Sequence, residues 1–328
     1  MNKIKRSGRL LRASFAVLFR EKKLLLFPLI ATMLATVVAL FFIMPVVLYP
    51  TWHSYFSAAH WSALADKLTQ GFEPAHHHHS VGQNMPDRKA DAMTPFSGFR
   101  GVAPFFALIY FTSMFVATFC NVAFYHEIMQ ALNGNTVSIR RGFRFAATRW
   151  RAVLLWSLFA GAVGYIISAV EKRVGFVGTI IANLVGFAWG IASIFIIPTL
   201  VREEKTENPL KLLRASAGTL KRTWGEFVIG VAGMELALGF AALLLLIVSM
   251  LTGGAAALFI CWYFHWTWAY WLFLPVVIGD WLLLAVPLGL IGGVVNPVYR
   301  CALFVYATEG VVPDSFDKEL LDSAWNVK

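Results

Sequence analysis

Apolar residues run in helix-length stretches at 24–48, 102–124, 152–170, 174–201, 227–251 and 271–298, and polar residues are pushed into the segments between them. About 20 apolar residues are enough to cross a bilayer core. The pattern predicts an all-α fold, a polytopic membrane bundle of about six transmembrane helices over 24–308. Around it lie a basic amphipathic segment over 1–23, a polar outer loop over 49–101 and a tail over 309–328. The first stretch, Leu24–Leu48, spans 25 residues. A signal core of roughly 7–15 residues is much shorter, so this segment is expected as an uncleaved signal-anchor. The fourth stretch carries Asn183 and the glycines Gly178, Gly186 and Gly190. Gly186 and Gly190 form a GxxxG, which suits close helix packing.

Charge sets the orientation. Of 28 Lys and Arg residues, 22 fall in residues 1–23, 131–151, 202–226 and the tail from Arg300, and only 6 in the opposite connections. Short loops rich in Lys and Arg stay on the cytoplasmic side. Both termini are therefore expected in the cytoplasm, in the inner membrane of a bacterial cell. Net charge is +10, with 58% hydrophobic and 14% charged residues. Beside apolar spans, such charge points to anionic lipid headgroups rather than nucleic acid. The stretch Thr252–Tyr270 fits least well. It is apolar and holds Trp262, Tyr263, Trp266, Trp268 and Tyr270. Trp and Tyr favour the headgroup level, so an interfacial or re-entrant segment on the outer face is expected. If it spans instead, the C-terminus moves outside.

An internal echo accompanies the spans. Leu10-Leu11-Arg12-Ala13-Ser14 recurs as Leu212-Leu213-Arg214-Ala215-Ser216, each shortly before a span, and residues 140–151 form a third basic stretch before another. The implied plan is a basic inner-face helix followed by an out-and-back hairpin, three times. At 100° per residue, Lys5, Arg9, Arg12 and Arg20 share one stripe and Leu11, Phe15 and Leu18 another. In the later copy, Asn208 suits an N-cap and Pro209 the first helical position. Its apolar face is expected to be Leu210, Leu213, Ala217, Leu220 and Trp224. Such helices lie in the headgroup plane. The expected headgroup contacts are Arg9, Arg12, Arg140, Arg141, Arg144, Lys211, Arg214, Lys221 and Arg222.

The segments Phe195-Ile-Ile-Pro198-Thr-Leu-Val-Arg-Glu203, Asn208-Pro209-Leu-Lys-Leu-Leu-Arg-Ala-Ser216 and Thr223-Trp224-Gly225-Glu226 together resemble an uncharacterised family of bacterial multi-pass membrane proteins. So do Asn133-Gly134 and Arg141-Gly142-Phe143. The likeness is mainly within 115–235. More distantly, the arrangement is similar to the membrane domain attached to some glycerophosphodiester phosphodiesterases. No phosphodiesterase catalytic domain accompanies it, so that activity does not carry over. The resemblance implies a six-helix membrane domain with no assigned activity, and the loop 49–101 looks like an insertion.

Candidate chemistry is sparse. Glu235 and Asp280 lie roughly 12 and 13 Å inside their spans at 1.5 Å per residue. A carboxylate there costs about 2.5 kcal/mol or more, so it should face the bundle interior and find a partner. The functional reading is a proton or cation relay, with Asn121 and Asn183 lining its path; the alternative is a polar pair that fixes packing. The outer tract His76, His77, His78 and His79 could collect zinc, copper or nickel loosely, with His53, His60, Glu73 and Asp87 in the same loop. His126-Glu127 alone forms no catalytic motif. Asn296-Pro297 should kink the last span. Cys120, Cys261 and Cys301 have neither metal nor redox spacing. There is no HExxH, Walker loop or GxSxG. No cofactor is expected, and no enzyme. Two classes remain: a membrane scaffold or assembly protein touching anionic lipid, with a membrane-protein partner or a second copy, or a permease-like transporter with a path near Glu235 and Asp280.

Overall fold

The computed structural model describes residues 3–48, 51, 53–72, 99–173, 175–203, 208–264 and 270–310. Among them every regular element is helical: α1 (Lys3–Arg20), a 3₁₀ turn (Lys22–Leu25), α2 (Leu26–Val47), α3 (Ala58–Phe72), α4 (Phe99–Leu132), α5 (Ile139–Thr148), α6 (Trp150–Arg173), α7 (Gly175–Ala192), α8 (Ile196–Arg202), α9 (Pro209–Phe264) and α10 (Tyr270–Glu309). Six stretches are long and apolar enough to cross a membrane: 22–47, 105–132, 150–171, 178–202, 235–263 and 277–309. Intrahelical hydrogen bonds satisfy the backbone where water cannot, which is why helices carry these spans. Side-chain hydroxyls follow suit. Thr32, Thr36, Thr118, Ser157 and Thr199 each donate to the carbonyl four residues back.

The last two spans lie further along the chain than expected. The helix that Asn208 caps, through Leu210 N–H to Asn208 Oδ1 at 3.0 Å, continues without a break to Phe264. The aromatic stretch from Thr252 is thus helical and continuous with the fifth span, up to the edge of residues 265–269, which lie outside the described residues. The physical reason is close packing: a Cβ on Gly253 would stand 2.5 Å from Val277 Cγ2, so glycine there lets α9 and α10 touch near their outer ends. Among the described residues the number of candidate spans is six, and Glu309 at the end of α10 pairs with Arg202 at the end of α8.

The three-part plan is built into the packing. The inner end is simply the end of the bundle where the basic helices lie. Each part has an inner helix, a span leading away from that end (ascending) and a span returning to it (descending): α1, α2 and α4; α5, α6 and α7–α8; the start of α9, its remainder and α10. The inner helices share one register. Ser14, Gly142 and Ser216 are buried, and so are Leu18, Ala146 and Leu220 four residues later. Arg12, Arg140 and Arg214, two residues earlier, are exposed. Each inner helix packs on a descending helix: α5 on α4, α9 on α8, and α1 on α10, which closes a ring. The small residue permits the crossing. A Cβ on Gly142 would sit 2.8 Å from Ala123 O and 2.9 Å from Glu127 Cγ. Ser216 Oγ accepts from Phe195 N–H at 3.1 Å and donates to Ala192 O at 2.6 Å, bridging the turn between α7 and α8.

The buried face of the second copy therefore differs from the expected one. Leu210 is exposed, and the stripe is Leu212, Ser216 and Leu220. A helix laid on lipid would bury its most apolar arc; this one buries the arc that fits another helix. The core gathers at the same end of the bundle: Val17, Leu24 and Phe27, then Val122–Leu132, Phe195–Leu200 and Val294–Phe304. Phe27 stacks on both Phe124 and Phe143, tying α2, α4 and α5 together.

Candidate functional site

Glu127 is the anchor of the inner end. It is fully buried near the end of α4. Its Oε2 accepts from Ser138 N–H and from Arg141 Nη2, both at 2.7 Å, and its Oε1 accepts from Arg141 Nε at 2.8 Å. Two parallel N–H donations from one guanidinium make this a fork-to-fork pair, more directional than a point-charge contact. These bonds push the Arg141 guanidinium above its ordinary pKa. Arg141 also donates to Thr136 O at 2.7 Å. His126 lies 3.8 Å from Glu127 and stacks on Phe145 with ring centroids 3.9 Å apart. His126-Glu127 thus serves as a clasp that fixes α5 against α4. The sequence held the signal, an acid at the inner end of a span and a basic helix beginning a dozen residues later, but did not join the two.

Further bonds tie the inner end. Val137 N–H donates to Glu21 Oε2 at 3.1 Å, and Arg20 donates to Ala131 O. Arg149 Nη1 donates to Glu203 O at 2.5 Å. Arg20 and Arg149 both close inner helices and both reach the last turn of the descending helix in their own part. A helix C-terminus leaves carbonyls without partners and carries partial negative charge, so arginine suits it twice over.

The cations expected at lipid headgroups divide accordingly. Arg12, Arg140, Arg144, Lys211, Arg214, Lys221 and Arg222 are exposed. Arg141 is instead committed to Glu127. The Arg9 side chain and the tract His76, His77, His78 and His79 lie outside the described residues. Nearby, His60 is buried and satisfied by protein: its Nδ1 meets Thr51 Oγ1 at 2.5 Å and its Nε2 donates to Val47 O at 3.1 Å, which fastens α3 to the end of α2. His53 Nδ1 meets Thr51 O at 2.7 Å. No group of three or more metal-ligating side chains is present among the described residues.

The intramembrane polar residues are not one cluster. Asn296 Nδ2 donates to Glu235 Oε1 at 2.6 Å, whereas Asp280 Oδ2 accepts from Thr252 Oγ1 at 3.2 Å. Asn296 and Asp280 are sixteen residues apart on α10, about 24 Å along the helix. Asn121 lines a cavity on α4, and Asn183 is exposed on α7.

Two cavities meet at Arg300. The first, about 440 Å³, is walled by all three descending spans. Asn121 and Tyr125 come from α4, Gly190, Ser193 and Ile197 from α7–α8, and Gly293, Pro297 and Arg300 from α10, with Phe27 and Pro28 of α2 closing one side. The GxxxG glycines separate here: a Cβ on Gly186 would touch Ile167 at 3.8 Å, but one on Gly190 would meet nothing within 4 Å. The second, about 570 Å³, is a groove between α9 and α10 that contains Glu235 and Asn296 and shares Gly293, Pro297 and Arg300 with the first. Both volumes suit a small ligand. Arg300, expected only as an orienting charge of the tail, lines the first cavity together with Tyr125. Among the described residues its Nε and Asn296 Oδ1 are buried without a hydrogen-bond partner. Each such atom costs about 1–3 kcal/mol, so two of them one turn apart are unusual in a settled core.

Residues 101–313 match the model of DUF6159, a family of unknown function. The match covers α4 to α10, reaches well beyond the stretch 115–235 and leaves out α1–α3. No curated protein and no solved structure matches the chain. With well over half its length inside the match, this multi-pass membrane protein belongs to the DUF6159 family of unknown function.

Proposed function

We propose that the protein is a membrane scaffold whose basic end gathers anionic lipid and, through that lipid, a partner membrane protein. One observation carries this reading: the inner helices spend their apolar sides on the bundle and turn Arg12, Arg140, Arg144, Lys211, Arg214, Lys221 and Arg222 outward. A lysine or arginine near an anionic surface is worth about 1 kcal/mol. Their excess over the opposite connections supports a cytoplasmic basic end in a bacterial inner membrane. The distant likeness to phosphodiesterase-attached membrane domains contributes architecture only. The test is lipid analysis of protein extracted with its surrounding bilayer. Anionic lipid should be enriched over the bulk membrane and fall to bulk in the quadruple variant Arg140→Gln, Arg144→Gln, Lys211→Gln, Arg214→Gln. An unchanged lipid profile in that variant would reject the reading.

A second reading, a permease-like transporter, is favoured by the cavity walled by the three descending spans. In it Glu235 and Asp280 act at separate depths, each beside its own hydrogen-bonding neighbour. Flux in reconstituted vesicles that is indifferent to Glu235→Gln and Asp280→Asn would remove any relay through them.

A further inference from the structure

The groove between α9 and α10 has both the polar and the apolar parts of a phospholipid site. At its inner end Asn296 Oδ1 and Arg300 Nε lack hydrogen-bond partners among the described residues, and Asn296 is only 8% exposed. The two residues stand four positions apart on α10, hence on one face. Glu235 lies beside them, bonded to Asn296 Nδ2. An unmet acceptor, a carboxylate and a guanidinium donor therefore line one groove. Beyond them the walls turn apolar, through Gly239, Ala242, Ala285 and Gly289 to Trp281. A Cβ on Gly239, Gly289 or Gly293 would meet nothing within 4 Å. These glycines leave a channel open, whereas Gly292, whose Cβ would stand 2.7 Å from Leu238 Cδ1, lets the two helices close along one side of it. From Asn296 to Trp281 the channel follows α10 for about 22 Å. One leaflet of a core about 30 Å thick is shorter than that.

We propose that this groove holds one aminophospholipid. Its phosphate meets Arg300, its ammonium meets Glu235 and Asn296 Oδ1, and one acyl chain follows α10 toward Trp281. The assignment follows from donors and acceptors. A guanidinium matches phosphate geometry. An ammonium has three donors and no acceptor, so it satisfies the amide oxygen and the carboxylate together. A headgroup with no donor would leave Asn296 Oδ1 unmet and bring its phosphate toward the Glu235 carboxylate. The proposal does not rest on the basic-end reading, because none of its residues belongs to that set.

The experiment is native mass spectrometry of the protein released from nanodiscs of equal phosphatidylethanolamine and phosphatidylglycerol. One phosphatidylethanolamine per chain should remain bound. Arg300→Gln should lower that occupancy at least tenfold, and Glu235→Gln should shift it toward phosphatidylglycerol. Gly289→Leu fills the channel and leaves every polar group in place, so it should expel the lipid while the thermal transition in detergent stays at the wild-type value. Three outcomes overturn the proposal: no retained lipid, preferential retention of phosphatidylglycerol, or undiminished phosphatidylethanolamine in Gly289→Leu. Soluble phosphoethanolamine is the further arm. It should not displace the lipid; tight binding of it that ignores Gly289→Leu would assign the site to a free phosphate ester instead.

Discussion

The inner and outer halves of this bundle are held by different means. At the inner end, side chains interlock as in a water-soluble core: Glu127 takes three hydrogen bonds, Gly142 lies against a backbone carbonyl, and Ser216 bridges a helix turn. In the outer half, α2 beyond Met33, α9 beyond Leu236 and α10 around Leu283 turn large apolar side chains outward, where lipid covers them. Lipid is as apolar as the side chains it would replace, so burial between helices brings little gain there. At the inner end, ion pairs and side-chain to backbone hydrogen bonds add to the fitted crossings; towards the outer end, small-residue contacts such as Gly253 on Val277 act without them.

Substitutions should grade along this contrast. The largest effect is expected for Gly142→Val. Its Cβ meets both a backbone oxygen and the Glu127 side chain, and overpacking costs about 1–3 kcal/mol, here near the top of that range. Thermal unfolding in detergent should show it, and a wild-type transition would mean that α5 is free to shift. Glu127→Ala comes next. Removing one partner of a buried pair costs about 3–5 kcal/mol, but Arg141 is 41% exposed and can recover water, so about 2 kcal/mol is expected. Proteolysis of the turn at 133–138 should accelerate with it, and resistance equal to wild type would show that the pair does not hold the turn. Ser216→Ala removes the two hydrogen bonds that Ser216 Oγ makes to Phe195 N–H and Ala192 O and should cost about 1 kcal/mol. A Ser216→Ala variant as stable as wild type would mean that the α7–α8 turn does not depend on this bridge. Leu244→Ala, on the lipid-facing side of α9, should change detergent stability by less than about 0.5 kcal/mol. A loss equal to that of Ser216→Ala would erase the contrast between the halves.

The sequence made the spans and the repeat legible for the same reason, since both are periodic in residues that lie close along the chain. Arg12 and Arg214 mark two inner helices because the motif is local, and the structure adds the shared burial of Ser14 with Ser216 and Leu18 with Leu220. Orientation charge concealed more than it showed. Counted only by sign, Arg141, Arg20, Arg149 and Arg300 looked alike, yet they hold respectively a buried carboxylate, two helix ends and an edge shared by two cavities. The aromatic crowd after Thr252 suggested an interface because Trp and Tyr favour one. The small residue at 253 that lets α9 continue beside α10 carries no such flag. The partner of Glu235 was missed because Asn296 was taken as half of a kink, and its amide reaches a helix sixty-one positions away in sequence.

The ring closed by α1 against α10 has a consequence for how the chain is made. α1 docks on α9 and α10, which lie some two hundred residues or more further along the chain, so its apolar face, with Val17 and Leu18, must wait without that cover while the intervening spans are laid down. Contacts so remote along the chain form late, and surface that waits uncovered invites mispairing. Docking of α1 is thus a late step in assembly. Without α10 in place, the side of α1 that carries Val17 and Leu18 loses part of the cover that buries it.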